Sequence, residues 1–412
     1  MKPGASPLMA LEEALQRVTR SAQALAIRET EEIATFDALG RVLAQDVRSG
    51  LDVPPADNTS MDGYAVRCAD IQPDQAMDVS QRIAAGQFGM SLAGGTVARI
   101  FTGAPVPEGA DAVMMQEDAQ VLEDGRVQFI KAPSIGQWIR RRGEDIRQGE
   151  VVLHAGTRLT PAGLGLAASV GCASLRVLRR PRVALFSTGD ELVMPGEPLR
   201  PGAIYNSNRF MLKGLLMAAG CEVTDWGIVP DRLDPTRVAL REAAQQHDLI
   251  LTSGGVSVGE EDHLRPALQH EGRIDLWQVA IKPGKPLALG AVRRASGDEA
   301  LYIGMPGNPV SSYVTFLLFA GPALRAMQGM EAGLPTPYRM RADFEWPNPD
   351  RRREFLRVRR NAAHGLELFA NQSSGVLTSV EWAEGLVDIA AGQVIRHGDW
   401  IDFIPMADLV GR

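Results

Sequence analysis

Hydrophobic residues are not evenly patterned along the chain, and their spacing changes character from one stretch to the next. Leu8, Leu11, Leu15, Val18 and Leu25 recur at helical intervals, with a mostly polar opposite face, so residues 8–28 are expected to form an amphipathic helix. From about 47 to 147 the texture becomes short β-rich runs broken by Gly, Pro and Asp, as in VARIFTGAPVPEGADAVMMQED. This predicts a separate small β-rich unit. TPAGLGLAASVG at 160–171 reads as a helix, and Arg179-Arg180-Pro181 as a boundary.

Residues 182 to about 328 are the most orderly. Apolar runs RVALFS, CEVTDWGIV, DLILTS, IDLWQVAI and LYIG alternate with helical segments. In NRFMLKGLLMAAG, residues Met211, Leu212, Leu215, Leu216 and Ala219 make one apolar stripe and Gly220 supplies the stop. Alternating strand and helix imply a parallel, doubly wound sheet with right-handed crossovers. Beyond 335 the helices are expected to give out. MRADFEW, EFLRVRR, LELFAN and WIDFIP show near-alternation, with Leu356 and Val358 set against Arg357 and Arg359, as half-buried antiparallel strands do. The fold class expected is therefore α/β plus β in several domains: a central doubly wound α/β domain, an inserted β-rich domain and a C-terminal β-barrel or sandwich.

Bulk properties narrow the function. A chain of 412 residues exceeds what one hydrophobic core supports. Its composition, 45% hydrophobic and 23% charged, is that of an ordinary soluble protein. A net charge of -7 argues against a general nucleic-acid binder, since counterion release needs surplus Lys and Arg. The N-terminal MKPGASPLMALEEAL lacks a signal-like apolar core, and no uncharged apolar stretch is long enough to span a membrane. A cytoplasmic location is expected. Cys68, Cys172 and Cys221 are too far apart for a zinc motif, and the histidines are scattered, so any metal would be a hard cation held by oxygen.

In an open α/β sheet, ligands bind beyond the carboxyl ends of the strands. Those ends lead here into Thr188-Gly189-Asp190-Glu191, Pro230-Asp231, Ser253-Gly254-Gly255-Val256-Ser257-Val258-Gly259-Glu260-Glu261-Asp262, Lys282-Pro283-Gly284-Lys285-Pro286 and Pro306-Gly307-Asn308-Pro309. The last corner has its own logic. Gly307 suits a positive φ, Asn308 an N-cap and Pro309 the first helical position, while the helix start beyond them offers unpaired N–H groups to an anion. Each loop alone reads equally as a turn or a cap. Together, glycine corners, two lysines and the carboxylates Glu191, Asp231 and Asp262 are what a phosphorylated ligand with Mg²⁺ requires. Neither a P-loop nor a dinucleotide fingerprint is present.

These residues resemble the molybdopterin molybdenumtransferase family, that of MoeA and the gephyrin E-domain. DVPPADNTSMDGYAVR looks like its N-terminal signature, and TGAPVPEGADAVMMQE, RRRGEDI, FSTGDEL, SGGVSVGEED, IKPGKP and MPGNPVS follow in the family's order. The resemblance covers nearly the whole chain and is densest up to residue 320. It implies an elongated homodimer with a split N-terminal domain (1–46 and 148–180), an inserted β-rich domain (47–147), an α/β molybdopterin-binding domain (181–330) and a C-terminal β-barrel (331–412). The implied activity inserts molybdate at the dithiolene sulfurs of adenylylated molybdopterin, hydrolyses the phosphoanhydride with Mg²⁺ and releases AMP. Because the sulfur ligands belong to the pterin, a chain poor in Cys is no objection.

By the same resemblance, Asp62, Thr102, Asp145, Glu191, Asp231, Asp262, Lys282 and Lys285 fall on catalytic positions, and Glu191, Asp231 and Asp262 on the metal. Ser253, Gly254, Gly255, Ser257, Gly259, Pro306, Gly307, Asn308, Pro309, Ser311, Arg357 and Ser374 fall on substrate-binding positions. Among these, Lys282, Lys285, Ser311, Arg357 and Ser374 resemble the molybdate site, with Ser373 as the alternative register. Asp62 and Asp262 both remain candidates to orient water. Transient contact with other molybdenum cofactor synthesis enzymes is implied; nucleic acid and membrane are not. Two rival readings are an adenylyltransferase, whose relatives share the glycine corners on a single α/β domain, and a gephyrin-like scaffold without catalysis.

Overall fold

The structure, a computed structural model, describes residues 8–256 and 263–411. Its centre is a six-stranded sheet. The strands run in the order Glu222–Val229, Arg182–Thr188, Leu249–Ser253, Glu299–Met305, Pro286–Arg293, Gly272–Gln278. The first four are mutually parallel, whereas Pro286–Arg293 pairs antiparallel with both of its neighbours. The sheet is therefore mixed, correcting the all-parallel expectation. The unread strand is PLALGAVR, which turns straight back from the Lys-Pro-Gly-Lys-Pro corner. One consequence favours the loop argument. Because Gly272–Gln278 runs with the parallel set, residues 279–285 still emerge at the carboxyl edge beside the other loops.

Helices cover both faces, and the central strands are accordingly apolar throughout: Val183, Leu185, Leu249, Leu251, Leu301 and Ile303 face one core while Ala184, Phe186, Ile250 and Tyr302 face the other. The helix Ser207–Ala218 buries Leu212, Leu215 and Leu216 and stops before Gly220, whose φ is 84°. Asn206 caps its start by accepting from the Arg209 N–H at 3.2 Å. The helical run Pro309–Met327 is apolar enough to cross a membrane by length, yet 89% of its apolar window is buried within the protein. Against its last turn packs the first helix, Leu11–Ala24, through Leu11, Ala14, Val18 and Ala22. That helix thus shares the central core.

Before and after the β-rich insert the chain pairs with itself: Thr30–Ala34 with Ser174–Leu178, and Val47–Arg48 with Val151–Leu153. Between them lies a four-stranded sheet ordered Asp78–Ile83, Thr96–Ile100, Gly63–Val66, Ala112–Met115. It has its own cores around Tyr64 and Phe129 and around Ile83 and Ile100. The predicted helix at 160–171 appears as Pro161–Ser169, with Thr160 Oγ1 accepting from the Gly163 N–H at 3.1 Å.

The C-terminal sheet follows the order Ile281–Lys282, Arg353–Arg360, Gly385–Ile389, Trp400–Pro405, Tyr338–Arg341, with Leu366–Leu368 also on Arg353–Arg360. This strand path is open, apart from an isolated bridge between Ala342 and Leu366. Two short helices, Thr378–Trp382 and Met406–Gly411, interrupt what was expected to be helix-free. Residues 354–358 are buried on both faces rather than one, so the alternating pattern misreads Arg357 as facing water. Ile281 and Lys282 belong to this sheet too, in parallel register with Arg353 and Glu354.

Candidate functional site

Strand ends and two glycine corners build a cleft of about 700 Å³ at the carboxyl edge of the central sheet. Its lining includes Glu191, Asp231, Ser253, Gly254, Gly255, the corner Pro306-Gly307-Asn308-Pro309 and Ser311. Gly254 and Gly255 have φ of 88° and 65°, and a Cβ on them would lie 2.4 Å from the Thr188 carbonyl oxygen and 2.6 Å from Thr188 Oγ1. Only glycine fits there. Gly307 needs no left-handed conformation, contrary to expectation; its backbone instead runs beside Gly254, whose Cα would lie 3.9 Å from an added Cβ. Asn308 occupies the N-cap position without a side-chain capping bond. The Val310 N–H is already taken by the Ser374 carbonyl at 3.0 Å, so the helix start is less open than its sequence suggests.

Several polar atoms around the cleft have no hydrogen-bond partner among the described residues: Thr188 Oγ1, Asn206 Nδ2 and Asn208 Oδ1. Buried polar groups are normally satisfied, so such orphans mark a surface prepared for a polar ligand. Sequence reasoning named Thr188 only as part of its loop and passed over Asn206 and Asn208, because a lone Thr or Asn carries no motif. Asn208 is held by its amide, which donates to the Gly307 carbonyl at 2.7 Å.

Asp231 is held above its ordinary carboxylate range by burial, and the negative charges of Asp190 and Glu191 push the same way. A cation between Glu191 and Asp231 would relieve that repulsion. Asp262, the third expected ligand, lies outside the described residues, as do Ser257 and Gly259. Among the described residues, no cluster of three His, Cys, Asp or Glu side chains forms a metal cage.

A second pocket, of about 280 Å³, opens between the Lys-Pro-Gly-Lys-Pro corner and the C-terminal sheet. Lys282, Trp346, Glu354, Arg357, Gln372 and Ser373 line it. Arg357 is only 1% exposed. Its guanidinium donates to Ser379 Oγ at 3.2 Å, the Phe355 carbonyl at 3.2 Å and the Ser373 carbonyl at 3.4 Å, all neutral acceptors. No carboxylate pairs with it among the described residues, and burial pushes it down to about 10. A buried cation without a counter-charge is costly, and an incoming anion would remove the cost. Of the two registers weighed, Ser373 is the residue at this wall, while Ser374 meets the helix start through its carbonyl. Lys285 is exposed on the same corner.

Asp62, Thr102 and Asp145 do not line either cavity. The backbone N–H and hydroxyl of Thr102 donate to Asp62 Oδ1 at 2.8 and 2.7 Å. These bonds, with the nearby Arg99 charge, hold the Asp62 carboxyl below its ordinary range. Asp145 is exposed on a neighbouring loop, its N–H donating to the Val53 carbonyl at 3.0 Å. The expected site residues thus fall into three places: an α/β cleft, a pocket at the C-terminal sheet and a polar corner on the inserted sheet.

Comparison with known proteins agrees along the whole chain. Residues 9–171 match the MoeA N-terminal region (domain I and II), 184–326 a probable molybdopterin binding domain and 339–406 the MoeA C-terminal region (domain IV). A molybdopterin molybdenumtransferase from Haemophilus influenzae is 43% identical over 311 residues, covering 75% of this chain and 76% of that one. One from Nostoc sp. is 35% identical over 378 residues, covering 89% and 86%. A crystal structure of a molybdopterin biosynthesis MoeA protein from Pyrococcus horikoshii superposes with a TM-score of 0.82 at 27% identity, covering 97% of this chain and 100% of that one. A single-domain adenylyltransferase would match only the middle of this span. With the N-terminal and C-terminal regions matched as well, the chain belongs to the MoeA family and is a molybdopterin molybdenumtransferase of molybdenum cofactor biosynthesis.

Proposed function

We propose that the chain joins molybdate to adenylylated molybdopterin and, with Mg²⁺, hydrolyses the phosphoanhydride to release AMP. In this scheme the two pterin sulfurs displace one oxygen of molybdate, which leaves as water. A second water adds across the P–O–P linkage, giving AMP and the metal-bearing pterin phosphate. The observation that carries the reading is Arg357, a buried guanidinium facing neutral acceptors at the wall of a pocket that also holds Lys282. A compact dianion is the ligand that such a charge imbalance selects. Lys285 and Ser311 lie on the adjoining corner and helix start and would complete the grip.

In the larger cleft the glycine corners, Ser253 and Ser311 offer donors to the pterin phosphate. Glu191 and Asp231 would hold Mg²⁺, with Asp262 the third oxygen donor that the resemblance implies. Bound there, Mg²⁺ supplies charge neutralisation on the anhydride phosphates. The protein's own task is to fix the phosphates and exclude stray water around the anhydride.

The separation of Asp62, Thr102 and Asp145 from the cleft supports an elongated homodimer, in which a second copy presents its inserted sheet to the cleft of the first. The Ala342–Leu366 bridge supports reading the C-terminal sheet as a barrel. The domain division 1–46 with 148–180, 47–147, 181–330 and 331–412, a cytoplasmic location and transient contact with other cofactor-synthesis enzymes belong to the same proposal.

The test is incubation with adenylylated molybdopterin, Mg²⁺ and varied molybdate. AMP release that rises with molybdate and is lost in Arg357→Gln supports the reading. Release independent of molybdate, or untouched by Arg357→Gln, overturns it.

A further inference from the structure

Glu354 stands in the wall of the Lys282–Arg357 pocket, and the scheme above gives it no task. Its side chain is 2% exposed, and its Oε1 lies 2.9 Å from Lys282 Nζ as a charge pair without hydrogen-bond alignment, leaving that oxygen otherwise unpartnered among the described residues. The other oxygen, Oε2, accepts from Trp346 Nε1 at 3.0 Å and from the Asp350 N–H at 2.7 Å. Backbone register fixes the arrangement, since Lys282 and Glu354 are direct partners on adjacent parallel strands. Asp350 also approaches Lys282 Nζ, at 3.4 Å, but Arg352 clasps both its oxygens, at 2.9 and 3.0 Å. The charges across the pocket are therefore unequal. Lys282 is matched by a buried carboxylate before any ligand arrives, whereas Arg357 is matched by none among the described residues.

We propose that Glu354 is a positioning residue that limits how tightly this pocket holds an oxyanion: it aims Lys282 through Oε1 and, as a fixed negative charge in the same wall, opposes the dianion that Lys282 and Arg357 attract. The inference rests on the oxyanion reading of the pocket given above. Its chemical logic is release. A transfer site has to surrender its metal oxyanion to the pterin sulfurs, and two uncompensated cations in one wall, Arg357 buried and Lys282 partly exposed, would retain it. Binding energy spent equally on ground state and transition state does not accelerate transfer. A carboxylate that keeps one cation partly occupied leaves Arg357 to recognise the anion and Lys282 to be shared.

The experiment uses the full chain titrated calorimetrically with molybdate, alongside kinetics at saturating adenylylated molybdopterin. Glu354→Gln keeps the side-chain length and an acceptor for Lys282 but removes the charge. Molybdate affinity is expected to tighten by about five- to tenfold, with the KM for molybdate falling in step. Glu354→Asp, which keeps the charge, should stay close to the unaltered chain. A purely structural role would lower Tm without tightening binding. Should Glu354→Gln fold poorly, Lys282→Met and Lys282→Met/Glu354→Gln are compared; the double variant is expected to bind molybdate more tightly than the single. Unchanged or weaker binding in Glu354→Gln, or no recovery in the double variant, overturns the inference. Arg357→Gln separates the two claims. If it binds molybdate as well as the unaltered chain, the oxyanion reading itself fails and this inference with it; if it loses binding while Glu354→Gln shows no gain, only the role of Glu354 falls.

Discussion

Thr102 donates twice to a single oxygen of Asp62, through its backbone N–H at 2.8 Å and its hydroxyl at 2.7 Å. The two residues come from separate stretches of the inserted sheet, so the pair is a product of the fold rather than of local sequence. Both bonds favour the ionised carboxyl and lower its titration point. Thr102→Val removes the hydroxyl bond and moves the Asp62 titration upward. The acid limb of the pH–rate profile should therefore shift to higher pH in Thr102→Val, while activity on the alkaline side changes little. Asp62→Ala should lower turnover on the order of 100-fold or more if this carboxylate handles a proton or orients water, with only a small drop in Tm from the two lost Thr102 bonds.

Asp231 makes the opposite electrostatic prediction. Its folded-state titration lies above the ordinary value of 3.8, first through burial and then through Asp190 and Glu191. The ionised form is thus disfavoured by folding, a cost absent below the unfolded value and fully present above the raised one. Asp231→Asn should raise Tm modestly at pH 7. Mg²⁺ should raise the Tm of the unaltered chain and do so less in the variant, as thermal melts with and without the ion will record. A lower Tm for Asp231→Asn would contradict the charge argument.

Glu271 ties two helices of the central unit together. Arg237 and Arg241 donate to it at 2.8 and 3.0 Å, and their bonds hold it at about 2 against an ordinary 4.5. A depressed carboxyl stabilises above its unfolded value, and that contribution fades as pH falls from about 4.5 to about 2. After solvent screening, Glu271→Gln should cost about 1–2 kcal/mol at pH 7 and nearly nothing at pH 2. Urea melts at both pH values check the difference.

Gly254→Ala tests the glycine corner. With φ at 88° and the Thr188 carbonyl oxygen 2.4 Å from the added methyl, strain and collision combine. The variant should lose on the order of 1–3 kcal/mol of stability, and pterin binding should weaken because the corner has to move. Gly307→Ala meets open space by comparison and should leave Tm nearly unchanged.

Much of this was readable in the sequence because apolar runs bounded by glycine and proline leave few options. Arg182–Thr188, Leu249–Ser253 and Glu299–Met305 are buried on both faces, so their composition alone announces them. The strand Pro286–Arg293 escaped because a proline-rich corner hides an antiparallel return, and direction is not written in composition. The burial of Arg357 escaped for a different reason, although the resemblance places the residue on a molybdate position. Alternation marks polar residues as outward unless a second layer covers them, and that layer is supplied by residues 373–379, beyond a hairpin in the chain. Likewise Glu354 shows no motif with Lys282; only strand register joins them.

That register has a mechanical outcome. Because Ile281 and Lys282 are hydrogen-bonded into the C-terminal sheet while residues 286–293 belong to the central one, the short corner between them is anchored in both sheets at once. Any rocking of the C-terminal sheet carries Lys282, Glu354 and Arg357 as one jaw. An anion held between Lys282 and Arg357, as proposed above, would then keep its surroundings, and only its distance to Asn308 and Glu191 would alter.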